Sequence, residues 1–162
     1  VVFDSTYKEY LFTFNNIHPA TDNQQFAFQV DTGTNTSYNI ACTSSTFRAY
    51  HNEADGQTGL SYITGGDQAN GTAFQNLSED SQGADADQSL CGNLHIFSPS
   101  SDTFVKHFIA HTVTSKNAGG QVYAIDAYVA GYFNLTTALT TFQFKMDSNN
   151  IDAGDICLYG IA

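Results

Sequence analysis

The sequence predicts an all-β fold, a jelly-roll-like two-sheet β-sandwich of about eight to ten antiparallel strands. Three observations predict it. The residue stock favours strands and turns, with 13 Phe, 9 Tyr, no Trp and only 2 Pro among many Thr, Ser, Asn and Gln. Phe, Tyr and Thr suit a pleated surface, and Asn, Asp, Ser and Gly supply turn conformations. Apolar side chains recur with period two in stretch after stretch, and no long segment has the period of a helix. Polar, glycine-bearing clusters interrupt these runs at the spacing of a sandwich or barrel. With 162 residues, 41% of them apolar, the chain can bury one sizeable core, so a single domain over residues 1–162 is expected.

Tyr7 to Phe14 alternates, with Tyr10, Phe12 and Phe14 on one face, and predicts a half-buried strand. A loop follows around His18-Pro19. Phe26 to Val30 predicts the next strand, with Phe26, Phe28 and Val30 inward, and Asp31 to Ser37 a turn. Ser37 to Ile40 and Thr46 to His51 predict weaker strands, separated from the short strand Leu60 to Thr64 by a loop at Asp55-Gly56. Thr72 to Leu77 is another short strand. Ser78 to Gln88, the most acidic and least apolar stretch, predicts a mobile surface loop. Leu90 to Phe97, with Leu90, Leu94 and Ile96 on one face, and the run from Phe104 to Thr114 form the hairpin around which the fold is organised, joined by the polar cluster Ser98-Pro99-Ser100-Ser101-Asp102. The second run is apolar on both parities, with Val105, Ile109 and Val113 against Phe104, Phe108 and Ala110. That predicts cover on both sides, by the core and by a neighbour. After a Gly-rich turn, Gln121 to Phe133 puts Tyr123, Ile125, Val129 and Phe133 on one face and Asp126, Tyr128 and Tyr132 on the other. Leu139 to Met146 has Phe142, Phe144 and Met146 in. Asp155 to Ile161 closes the chain as a strand.

Charge narrows the function. The net charge is −11, from 16 acidic and 5 basic side chains. Such a surface repels phosphate backbones and anionic membranes, so neither nucleic acid nor membrane insertion is expected. No apolar run reaches the length of a membrane span, and no signal peptide is visible. The chain starts at Val1 rather than Met, so we expect a processed product or the ordered part of something longer. Cys42, Cys91 and Cys157 are odd in number, widely spaced and without a CxxC pair. Buried thiols are the expectation, with one disulfide plus a free thiol as the alternative.

Several groups invite a chemical reading. Asp31-Thr32-Gly33 matches the signature of aspartic proteases, but that chemistry needs two such carboxylates and the chain has one copy, so a turn is expected. His107 and His111 share a strand face, and His95 lies on the paired strand. Three imidazoles would suit a metal, and polar tips at a sheet edge or subunit contact are the commoner role. Asp80, Asp85 and Asp87, and Asp147, Asn149, Asp152 and Asp155, are oxygen ligands at short spacing, but neither stretch has the EF-hand order. Asp126, Tyr128 and Tyr132 form either a sugar-binding surface or a face packed against a neighbouring subunit. No nucleophile elbow, phosphate loop or dinucleotide fingerprint occurs, and no catalytic residue, cofactor or metal is expected. The sequons at Asn35, Asn70, Asn76 and Asn134 matter only in a eukaryotic secretory pathway.

The stretches EYLFTFNNIHPATDN, FRAYHNEADG, GDQANGTAFQNL, SPSSDTFVKHFIAH and AGYFNLTTALTTFQFKMDSNNIDAGDICLYGI, from about Asp4 to Ile161, resemble uncharacterised virion surface proteins of tailed bacteriophages. These are aquatic and marine phages, and the proteins are of tail-fibre-like type. The three cysteines depart from that group. The resemblance implies a β-sandwich on a virus particle, made in the host cytoplasm, with no catalytic residues. The expected function is therefore a virion structural surface protein, either a tail-fibre receptor-binding domain or a capsid decoration protein, acting by adhesion and subunit packing. The expected partners are copies of itself in a homotrimer, other virion proteins and a host-surface glycan. The alternatives are a free carbohydrate-binding module and a hydrolase that uses Asp31, Asp126 or histidine.

Overall fold

The computed structural model describes residues 3–162. Its ten strands are β1 (Glu9–Pro19), β2 (Phe26–Thr32), β3 (Cys42–Asn52), β4 (Thr58–Tyr62), β5 (Gln75–Asn76), β6 (Leu90–Phe97), β7 (Lys106–Ala118), β8 (Gln121–Phe133), β9 (Leu139–Met146) and β10 (Ile151–Ile161). All pairings are antiparallel, and no helix occurs among the described residues. The predicted two-sheet β-sandwich is present, with sheets of unequal size. One has seven strands in the order β10-β1-β6-β7-β8-β3-β4, and the other has three in the order β5-β2-β9.

The core is a herringbone of phenylalanines between the sheets. From the small sheet, Phe28 meets Phe108 and Phe133 edge-on at 5.2 and 5.8 Å. Phe26 meets Phe14 at 5.1 Å, and Phe142 meets Phe12 at 4.6 Å. Edge-to-face contacts of this kind add to what burial alone contributes. Most of the inward residues predicted by alternation lie here, including Tyr10, Phe12 and Phe14, Leu90, Leu94 and Ile96, and Val129 and Phe133, whereas Tyr123 and Ile125 on the same side of β8 lie beyond the core cluster.

The acidic stretch is a correction. Ser78 to Gln88 is not a free surface loop, because Ser78, Glu79, Gln82 and Gln88 are buried. The segment lies beside the small sheet where a further strand would sit, held by polar bonds. Ser78 Oγ accepts from Phe26 N–H (2.8 Å), and Gln24 and Gln82 exchange backbone bonds (3.1 and 2.7 Å). Thr112 donates to the Leu77 carbonyl (2.5 Å). The Ser78 hydroxyl and the Gln88 amide find backbone partners, while the Gln82 side chain and Glu79 Oε1 are buried without one, and hydropathy registers neither.

Other expectations shift. Ser37 to Ile40 is not a strand. Tyr38 has φ 48°, its N–H donates to Asp31 Oδ2 (2.8 Å), and the Ile40 carbonyl accepts from Gln29 Nε2 (3.1 Å). Side chains of β2 thus take the backbone groups that a partner strand would use. β1 runs on through the predicted His18-Pro19 loop by a bulge, with Asn16 at φ 52° and a register shift between Asn15 and His18. Phe104 and Val105 lie outside β7 in the connection, and Phe104 is exposed.

The bulge places His18 between two elements. Its Nδ1 lies 2.7 Å from Asp152 Oδ1 and its Nε2 lies 3.2 Å from the Asp85 carbonyl. The bond to Asp152 raises the imidazole above its usual range, against a smaller opposing effect of burial. A raised histidine stabilises fully below its unfolded value near 6.5 and loses that contribution as pH rises through its folded value. The protein should therefore lose some stability as pH rises above about 6.5, and His18→Gln should flatten that slope in melts taken on either side of that value.

Candidate functional site

Pairing and alternation fix which side chains point away from the core. In the large sheet these are the sets containing Phe47 and Ala49 on β3, Leu60 and Tyr62 on β4, Ile109, His111 and Val113 on β7, and Asp126, Tyr128 and Tyr132 on β8. His95 on β6, Leu11 on β1, and Tyr159 and Ile161 on β10 continue the same face.

This outer face collects most of the exposed hydrophobic side chains, interspersed with histidines and small polar residues. Among the described residues, eleven large hydrophobic side chains are exposed. Eight of them (Phe47, Leu60, Tyr62, Ile109, Val113, Tyr128, Tyr159 and Ile161) belong to it. The other three are Tyr7 and Phe104, outside the strands, and Ile156, on the inward side of β10. No Lys or Arg belongs to the outward set of any of the seven strands. Scattered exposed apolar residues are ordinary, but one face that collects most of them marks an interaction surface.

An aromatic stripe crosses its centre. Phe47, Tyr128 and His111 are cross-strand neighbours. Phe47 stacks on Tyr128 at 5.0 Å with planes 7° apart, and His111 stacks on it at 4.2 Å and 13°. β3 and β7 flank β8 on opposite sides, so both faces of the Tyr128 ring are occupied. His111 Nε2 is hydrogen-bonded to Asp126 Oδ1. At the margin, Tyr62 donates to Asp67 Oδ2 (2.5 Å).

Asp126, Tyr128 and Tyr132 share the outer face as expected. Both faces of the Tyr128 ring are occupied and Asp126 is held by His111. His95, His107 and His111 also share it, but each has its own neighbour. His95 pairs with Glu9 at 2.9 Å, His111 with Asp126, and His107 lies tilted 6.1 Å from the Tyr132 ring. No group of three metal-ligating side chains forms among the described residues. Asp31 is buried, and its carboxylate accepts from Thr32 N–H and Tyr38 N–H at 2.8 Å each, so it shapes the turn after β2. Asp80 pairs with Arg48 and Lys116, Asp147 accepts from Gln25 N–H (3.0 Å) and Asp152 meets His18, so the two acidic stretches serve separate structural bonds. All three cysteines are free. Cys42 is buried, which pushes its thiol up to about 12, but Cys157 is exposed, contrary to the expectation of buried thiols. Phe47, Leu60 and Tyr62 were not singled out from sequence, although Phe47 alternates with the polar Thr46 and Arg48 in a predicted strand.

No family description, curated protein or solved structure matches the chain.

Proposed function

We propose that the protein is a structural surface protein of a bacteriophage virion that works by subunit packing and adhesion rather than by catalysis. Its outer sheet face is covered by further copies of the same chain, in a trimer as the resemblance to virion proteins implies. The observation that carries this reading is the gathering of eight of eleven exposed large hydrophobics on that face. Six strand spacings of ~4.8 Å and about seven residues at ~3.3 Å give a flat area on the order of 600 Å². Stable interfaces bury about 800 Å² of accessible surface per partner, so the face is of the right size. The chain has net charge −11 and copies repel one another elsewhere. The centre of this face is aromatic and carries no Lys or Arg, and its carboxylates Glu9 and Asp126 sit against histidines, which makes it the least costly place to approach.

The carbohydrate-binding reading of Asp126, Tyr128 and Tyr132 is weaker, because sugars stack on open ring faces and Tyr128 has none.

Replacing Phe47 and Tyr128 together by serine should convert the oligomer to a folded monomer, lowering the association constant at least 100-fold, as read by sedimentation velocity. An antibody to the chain should label intact phage particles in electron micrographs. Absence of label from every particle would contradict the virion assignment and leave the packing claim standing on the sedimentation data.

A further inference from the structure

The inward side of the large sheet is not covered along its whole length. Toward the β7–β8 turn it leaves a pocket of about 240 Å³. Arg48 and Tyr50 from β3, Lys116 from β7, Tyr123 from β8, Gln57 from the β3–β4 connection and Asp80 from the buried acidic segment line it. From this chemistry we infer that the pocket binds a single sugar residue bearing a carboxylate.

Charge is the first argument. The chain has 5 basic residues, and two of them converge here. Arg48 Nη1 donates to Asp80 Oδ2 (2.9 Å) and to the Glu79 carbonyl (2.9 Å), and Lys116 Nζ bonds Asp80 Oδ1. Two cations face the Asp80 carboxylate, and the neighbouring Glu79 carboxyl, which burial pushes up to about 7, is largely protonated at pH 6, so the cluster carries a net positive charge there. Burial alone would raise Asp80. Hydrogen bonds from Lys116 and Ser81 N–H, with the charges of Lys116 and Arg48, outweigh it and hold the carboxyl below its usual range. Asp80 is therefore a fixed anion that orients both cations. An ammonium has three donors and Lys116 uses one on Asp80, so capacity remains for an incoming carboxylate.

The walls are the second argument. The Tyr50 and Tyr123 rings lie 6.3 Å apart at 59°, tilted rather than stacked, so neither covers the other. Tyr50 is paired with Gly59, where an added Cβ would come within 2.8 Å of its ring, so this glycine lets the ring lie across β4. Tyr123 donates to Gln57 Oε1 (2.7 Å), which leaves the Gln57 amide N–H groups for a hydroxyl. The Arg48 guanidinium lies over the Tyr50 ring, 5.6 Å from its centroid, so Tyr123 supplies the aromatic face, and that face with an amide and a cation is what reads a sugar ring and its acid. The volume lies below the ~300 Å³ at which pockets for drug-sized ligands begin, so the occupant is one ring.

This site is independent of the outer face, which lies on the other side of the sheet. The test is an NMR titration of the intact chain with D-glucuronate, D-glucose and acetate. Glucuronate should give saturable shifts at Tyr50, Gln57 and Tyr123, with an affinity at least tenfold above both glucose and acetate. Lys116→Gln and, separately, Tyr123→Leu should each weaken glucuronate tenfold or more while the melting curve stays cooperative. The Phe47→Ser/Tyr128→Ser protein should keep full binding. Absence of saturable shifts, equal binding of glucose or acetate, or undiminished binding by both single variants would overturn the assignment.

Discussion

Phe28→Ala is expected to destabilise the protein by about 3–5 kcal/mol. Phe28 is fully buried at the centre of β2 and touches rings from both sheets, Phe108 and Phe133 across the core and Phe144 beside it at 6.3 Å. The small sheet has only three strands, so it cannot close on the cavity without giving up other ring contacts. The melting temperature should fall on the order of 10 °C, from ~2–4 °C per kcal/mol for a chain of this size. Phe104→Ala is the contrast. Phe104 is 71% exposed in the β6–β7 connection, and its loss should change stability by less than about 0.5 kcal/mol. Both melts belong at one protein concentration, because association also moves the midpoint.

Glu79→Gln is expected to stabilise the protein in alkaline conditions and do little in acid. Burial pushes the Glu79 carboxyl up to about 7, against the pull of Arg48 and with a push from Asp80 and Asp67. Its Oε1 is buried without a partner, and the segment packs so closely that a Cβ on Gly66 would meet that oxygen. A raised carboxyl is most compatible with the fold when protonated. Its contribution is fully present below the unfolded value near 4.5, declines as pH rises, and is lost above about 7. At 1.36 kcal/mol per unit, the ionised form costs about 3 kcal/mol at pH 8. The variant should therefore melt higher than the parent at pH 8 and nearly equal to it at pH 4.5. A parallel offset at both pH values would mean that Glu79 acts through shape and not through charge.

The parts of this structure that the sequence announces are those governed by period two and burial. Leu139–Met146 and Gln121–Phe133 were legible to the residue, because one face meets the phenylalanine core and the other does not. The acidic segment was not legible. Ser78 and Gln88 accept from the Phe26 and Asn117 N–H groups of distant strands, and Gln82 is held by its own backbone bonds to Gln24, so residues that composition alone reads as solvent-exposed are buried. Ser37 to Ile40 failed for a related reason, since Asp31 and Gln29 hold the backbone where a partner strand would. For the site, the grouping of Asp126, Tyr128 and Tyr132 followed from parity, but the stripe did not. Phe47 and His111 reach Tyr128 only through the order β7-β8-β3, and strand order is not written in any single stretch. The pocket under Arg48 and Lys116 escaped because its floor is the segment that reads as loop.

The claim on which the account rests is that the outer face of the seven-stranded sheet is buried between copies of the chain. Sedimentation velocity on the purified protein at micromolar concentration tests it directly. A species of about 53 kDa, three times the 17.6 kDa chain, is expected, falling to one chain in the Phe47→Ser/Tyr128→Ser variant. A parent protein that sediments as a single 17.6 kDa chain across that range would contradict it.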